Sequence, residues 1–288
     1  MCWLTAILVI FLFSITALPL ITFAFFWYET ANGPHLEYLS ALSGGRTRIW
    51  IVKALAIGII EAVFIVLTAP LGLVRPLWRP RPDTGSPRPT IILIHGLYHN
   101  ASGWTILRAR LRRAGFTNVY ALSYPSFMTS FEKLLSRLDG FISEVANSLP
   151  GKPVILIGHS LGGLLARACV ERPGGAANIL AVITLGSPHK GSKLAAIGLG
   201  ALAQSLRYRG PLFKKLESER SDPPCHCFSL YSPLDNMVLP ADGLRVPYAG
   251  WTEFETGPVG HVAMLFNGAV AKKIFELIDL ALDQGRTA

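Results

Sequence analysis

The stretch Pro153-Val154-Ile155-Leu156-Ile157-Gly158-His159-Ser160-Leu161-Gly162-Gly163-Leu164-Leu165-Ala166 decides how this chain is read. A β-branched and aliphatic run stops at Gly-His-Ser-Leu-Gly and gives way to helix-forming residues, so the spacing predicts a buried strand, a tight turn and a helix. Gly158 and Gly162 flank Ser160 where a side chain would collide with neighbouring backbone if the serine stood on a sharp, strained turn. A serine so placed stands clear of the sheet edge, above the positive end of the following helix, where developing negative charge is stabilised. Alone, the pentapeptide is equally compatible with a glycine-rich turn carrying a surface serine.

Outward from this stretch the pattern repeats. Thr90–Ile94, Val119–Ser123, Ile179–Leu185 and Cys227–Tyr231 read as strands, while Gly103–Ala114 and Phe131–Leu149 have helical spacing. Strands alternating with helices predict an α/β fold, a mostly parallel sheet covered on both faces. Beyond the Cys227–Tyr231 strand comes Ser232-Pro233-Leu234-Asp235-Asn236, which offers Asp235 as an acid at a strand end. Asp242 is a poorer candidate, deeper in the loop, and an ordinary Asx-turn is the bland alternative for either. His261, in Gly257-Pro258-Val259-Gly260-His261-Val262, is the one histidine after that acid, at a loop-to-helix junction from which its ring could swing onto Ser160. A capping or buried structural histidine is the other reading.

The order Ser160, Asp235, His261, together with His95-Gly96-Leu97, Gly158-His159-Ser160-Leu161-Gly162-Gly163 and Gly186-Ser187-Pro188-His189-Lys190-Gly191-Ser192, resembles the lipase-type serine hydrolases of the α/β-hydrolase superfamily. The resemblance covers roughly residues 90–285 and implies a domain that starts at what the full superfamily fold would call its third strand. It implies an acyl-serine mechanism, with Ser160 as nucleophile, His261 as base and Asp235 orienting the imidazole. It also implies that the backbone N–H groups of Leu97 and Leu161 converge on the substrate oxyanion, with His95 structural. Lipases with a calcium site carry acids close to the catalytic histidine. Here nothing acidic follows His261 until Glu276, so no metal is expected, and no cofactor. Thioesterases and acyltransferases use the same triad. A catalytically silent, membrane-tethered scaffold on the same fold is the alternative of another class.

The remainder of the chain points to a membrane. Among 288 residues, 51% are hydrophobic and 16% charged, and the mean hydropathy is +0.41. From Trp3 to Trp27 there is no charged side chain, enough as a helix for roughly 37 Å against a ~30 Å hydrocarbon core. A signal peptide is the rival reading, but no Lys or Arg precedes the run. A second apolar segment, 49–74, contains Lys53 and Glu61; its many aliphatic residues outweigh a central charge of about 3 kcal/mol. Residues 1–74 are therefore expected to form an anchor of two transmembrane helices, about 3–27 and 49–74. Residues 75–89, where prolines alternate with arginines, are expected to be a stiff extended linker in which a helix is improbable.

Arg75, Arg79, Arg81 and Arg88 after the second segment, against Arg46 and Arg48 before it, put the catalytic part in the cytoplasm by the positive-inside rule. The formal charge of +9 fits an anionic lipid surface; no aromatic-basic pattern suggests nucleic acid. Cys2, Cys169, Cys225 and Cys227 offer no disulfide framework, and Cys225-His226-Cys227 lacks two further metal ligands. Within 192–224, Ala195–Leu206 and Leu212–Glu219 read as a small apolar lid or as plain surface helices. A lid beside a membrane anchor suggests a lipid or small ester as substrate.

Overall fold

The computed structural model describes residues 2–173 and 178–285, with side chains from Ile15 to Gln284 within them. Its centre is a six-stranded sheet in the order β2-β1-β3-β4-β5-β6, built from β1 (Thr90–Ile94), β2 (Val119–Leu122), β3 (Val154–His159), β4 (Ile179–Leu185), β5 (His226–Tyr231) and β6 (Thr252–Glu255). Every neighbouring pair is parallel. All strand C-termini therefore open on one edge, where ligands of open α/β sheets bind.

Both faces of the sheet are buried, which explains the unbroken aliphatic runs. On one side Ile92, Ile94, Leu156 and Val182 pack against α6 (Phe131–Ser148) and α7 (Leu161–Glu171). On the other Ile91, Leu93, Ile155 and Ile183 meet α5 (Thr105–Arg113) and α10 (Gly268–Gly285). Helix α6 starts where the Ser130 hydroxyl accepts from Lys133 N–H and buries Leu134, Leu138, Phe141, Ile142 and Val145, one face at helical spacing.

The amino-terminal part comprises α1 (Cys2–Ala31), α2 (His35–Ser43) and α3 (Thr47–Thr68). One stretch among the described residues, Thr47–Leu73, with 27 residues and a mean hydropathy of 2.4, is long and apolar enough to cross a membrane. In α1 the corresponding apolar stretch, Ile15–Ala31, is shorter; the side chains of the expected first span before Ile15 lie outside the described residues. These helices dock on the sheet domain rather than standing apart from it. Phe23, Phe26, Leu39 and Ala54 share a small core with Leu234 and Leu239, and the rings of Phe64 and Phe266 meet edge to face at 5.2 Å. Fully burying an aromatic or leucine side chain contributes roughly 1.5–3 kcal/mol, so the docked arrangement prevails over a loose tether. Two polar contacts reinforce it: Lys193 pairs with Glu29 at 2.6 Å, and the His35 Nε2–H donates to the Pro233 carbonyl at 2.8 Å.

The expected extended linker is corrected at its start. Arg75–Trp78 forms a one-turn helix, α4, with Pro76 in the first turn, where a missing N–H leaves no bond unmade. Trp78 is buried, and its indole N–H donates to the Leu71 carbonyl at 2.8 Å. Further on, Asp83 and Asn118 exchange two hydrogen bonds, fastening the segment to the domain. The expected lid helix Ala195–Leu206 is likewise broken, into a 3-10 turn (Lys193–Ile197) and α8 (Ala201–Ser205), with Gly200 at φ +87° between them. Helix α9 (Pro211–Ser218) completes this insertion. The edge strand β6 went unread because Thr-Glu-Phe-Glu has no apolar run.

Candidate active site

Ser160 joins β3 to α7 with φ +54° and ψ −123°, a conformation that non-glycine residues rarely adopt. The turn is held by Ser160 N–H donating to the Leu185 carbonyl at 2.9 Å, and by Gly163 and Leu164 N–H donating back to the Ser160 carbonyl. The flanking glycines have the steric reason expected of them. A Cβ on Gly158 would lie 2.5 Å from the Gly162 carbonyl group, and one on Gly162 would lie 2.1 Å from the Ile94 carbonyl oxygen. Both clashes are with backbone and cannot be relieved by a rotamer change. Gly162→Ala is therefore expected to destabilise the fold by roughly 3 kcal/mol or more; an unchanged melting temperature would show that the turn is looser than this.

Asp235 follows β5 and is 2% exposed. Its Oδ1 accepts from the Met237 and Val238 N–H groups at 3.0 and 2.9 Å, and its Oδ2 accepts from His261 Nδ1–H at 2.6 Å. Asp242 sits elsewhere, taken up by Lys190, Tyr208 and Arg209.

Where the sequence suggested a ring free to swing, the His261 ring is held by its bond to Asp235, and both its backbone groups are clamped as well. Its N–H donates to Asn236 Oδ1 at 3.0 Å, and its carbonyl accepts from His159 Nε2–H at 3.1 Å. The rings of His159 and His261 lie 4.6 Å apart, which sets His261 beside the turn carrying Ser160. No hydrogen bond joins the Ser160 hydroxyl to the His261 ring among the described residues. Such bonds are often long before substrate binds.

Two other histidines of this region, His95 and His159, have ring nitrogens taken up by protein groups. His95 donates from Nδ1 to the Gly96 carbonyl at 2.8 Å and accepts the Tyr124 N–H on Nε2 at 3.1 Å, a pattern that requires one neutral tautomer. It also stacks on the Tyr124 ring, whose hydroxyl donates to the His95 carbonyl. Burial pushes the His95 pKa down to about 3. His159 is also held well below the usual histidine range, by burial first and the neighbouring His261 second.

Leu97 and Leu161 both lie at this sheet edge, after β1 and β3. Neither backbone N–H donates to another protein group among the described residues. A Cβ on Gly96 would sit 3.0 Å from Ser160 Cβ, so the β1 loop passes directly over the serine. Around the mouth, Tyr98 stacks on Phe127 at 5.1 Å, and the Tyr98 hydroxyl donates to the Leu199 carbonyl at 2.5 Å. Together with Met128 and Ile197 they form an exposed apolar rim.

Asn236, His159 and Thr22, whose Oγ1 accepts from Asn236 Nδ2–H at 2.7 Å, were not among the residues singled out from the sequence. Asn236 had a signal in its adjacency to Asp235, and His159 lies within the elbow, the β3-to-α7 turn that carries Ser160. Thr22, 214 positions from Asn236, had none.

Comparison with known proteins bears on the family and the fold. A probable esterase, PIR7A, of rice (Oryza sativa subsp. indica) is 33% identical over 86 residues, spanning 28% of this chain. That match covers only 33% of the rice protein's own length. The mature lipase BlEst2 of Bacillus licheniformis superimposes with a TM-score of 0.58 at 20% identity, over 69% of this chain and 95% of that one. Est1E from Butyrivibrio proteoclasticus gives a TM-score of 0.50 at 17% identity, over 69% and 90%. At these identities the solved structures speak for the fold alone. Residues 91–273 match the alpha/beta hydrolase family, and with the all-parallel sheet and the serine turn at the end of β3, the chain belongs to that family.

Proposed function

We propose that this protein is a serine ester hydrolase that acts on carboxylic esters with apolar acyl groups through an acyl-serine intermediate. One observation carries the reading: a strained serine at the end of β3 beside a histidine whose Nδ1–H is held by a buried carboxylate. In the proposed reaction His261 Nε2 takes the Ser160 proton as Oγ attacks the ester carbonyl. Asp235 keeps the imidazole in the Nδ1–H tautomer and stabilises the imidazolium. The Leu97 and Leu161 N–H groups receive the oxyanion, His261 returns the proton to the departing alcohol, and water then releases the acid by the same route.

The apolar rim of Tyr98, Phe127, Met128, Ile197 and Leu199 supports an acyl-chain substrate. In the same proposal α3, with α1 beside it, holds the enzyme at a bilayer, the catalytic part on the arginine-rich cytoplasmic side. The test is a series of p-nitrophenyl esters from short to long acyl chains, with fluorophosphonate labelling of the full-length protein. Covalent labelling and kcat/KM rising with chain length are expected. Folded protein that neither labels nor cleaves any ester would favour the silent scaffold, whereas strong preference for thioesters or for alcohol acceptors would move the reading to a thioesterase or acyltransferase.

A further inference from the structure

We infer that the amino-terminal helix α1 is a working part of the catalytic centre, through Thr22 and Asn236 acting as positioning residues for His261. This rests on the acyl-serine reading above. Asn236 Nδ2–H donates to Thr22 Oγ1 at 2.7 Å, Thr22 Oγ1–H donates to the Pro19 carbonyl at 3.1 Å, and Asn236 Oδ1 accepts the His261 N–H at 3.0 Å.

These bonds allow only one arrangement. The Thr22 proton is committed to Pro19, so Thr22 can only accept from Asn236. The amide must then turn its NH₂ to α1 and its oxygen to His261. Thr22 is 5% exposed and Asn236 7%, so each takes its hydrogen-bond partner from the protein. His159, next to Ser160 in the elbow, holds the His261 carbonyl from the other side. The base is thus gripped between the turn that carries the nucleophile and a helix from the opposite end of the chain.

The same junction borders a cavity of about 350 Å³ between α1 and α3, lined by Thr22, Phe23, Glu61, Asn236 and Gly260. A shift of α1 relative to α3 would therefore reach Asn236 first. Because a displacement of about 1 Å in a catalytic group can change rates by about 10²-fold, a single lost bond here is expected to be visible in turnover.

The test uses the full-length protein in detergent micelles, with kcat and KM on a short p-nitrophenyl ester and the rate of fluorophosphonate labelling. Thr22→Val keeps the shape and removes the acceptor; kcat and the labelling rate are expected to fall roughly tenfold with KM within about twofold. Thr22→Ser keeps the oxygen and is expected to restore most of the rate. Asn236→Ala is expected to fall at least as far, and adding Thr22→Val to it to cause little further loss, because the two act as one unit. All rates are compared below the melting temperature of each variant, and Thr22→Ala replaces Thr22→Val if the latter does not fold. A labelling rate for Thr22→Val equal to wild type, or a Thr22→Ser protein as slow as Thr22→Val, overturns the inference. Wild type that fails to label overturns the acyl-serine reading instead, so the two failures are distinguishable.

Discussion

Ser160→Ala is expected to lower kcat for ester hydrolysis by about 10⁴- to 10⁶-fold, because the proposed acyl-enzyme forms on the Ser160 oxygen. The fold should survive. Ser160 is half-buried and its backbone carries the strain, at φ +54°. Ser160→Gly makes the same point from the side of stability. A residue held in so sparsely populated a region costs of order 1–3 kcal/mol, and glycine adopts it without a Cβ clash. The Ser160→Gly protein is expected to be equally inactive and to melt a few degrees higher, at about 2–4 °C per kcal/mol for a domain of this size. Activity within tenfold of wild type in either variant would remove the nucleophile from the mechanism; a lower melting temperature for Ser160→Gly would remove the strain.

Asp235→Asn is expected to cost about 10³- to 10⁴-fold in kcat with little loss of fold. The Met237 and Val238 N–H groups both point at Oδ1, so the amide of an asparagine must turn its oxygen to them and its NH₂ to His261. A donor facing Nδ1 strips that nitrogen of its proton and moves the proton to Nε2, the atom that must accept from Ser160. Turning the amide the other way would set its NH₂ against two backbone donors in a buried site, where an unmet donor costs about 1–3 kcal/mol. Asp242→Asn serves as the control. That carboxylate is bound by Lys190, Tyr208 and Arg209, and less than a threefold change in kcat is expected. Equal losses in the two variants, measured on the same ester, would mean that Asp235 had been wrongly preferred.

The strand, the elbow and the order of the site residues were legible in the sequence because each depends on local rules. The run from Val154 to Ile157 is aliphatic because β3 is buried on both faces. Gly158 and Gly162 are glycines because backbone passes within 2.5 Å of where a Cβ would be. The pairing of His261 with Asp235 was suggested by position, His261 being the one histidine after that residue, and the two side chains meet at 2.6 Å.

What the sequence could not supply were contacts made by chain closure. Residues 3–27 read as a membrane span, since an apolar run does not say whether its partner is lipid or protein. Tertiary packing set Phe23 and Phe26 against Leu234 and Leu239 and turned Thr22 toward Asn236. The prolines of 75–89 suggested an extended strut, yet burial of Trp78 was enough to wind one turn around Pro76.

By itself, then, the amino-acid sequence determined which residues could do the chemistry, because alternation of apolar residues and backbone sterics act over a few positions. Only the tertiary structure decided how His261 is held. Its N–H is fixed by a loop tied to the first helix and its carbonyl by the elbow, and hydrogen bonds between segments some two hundred residues apart leave no periodic trace in the chain.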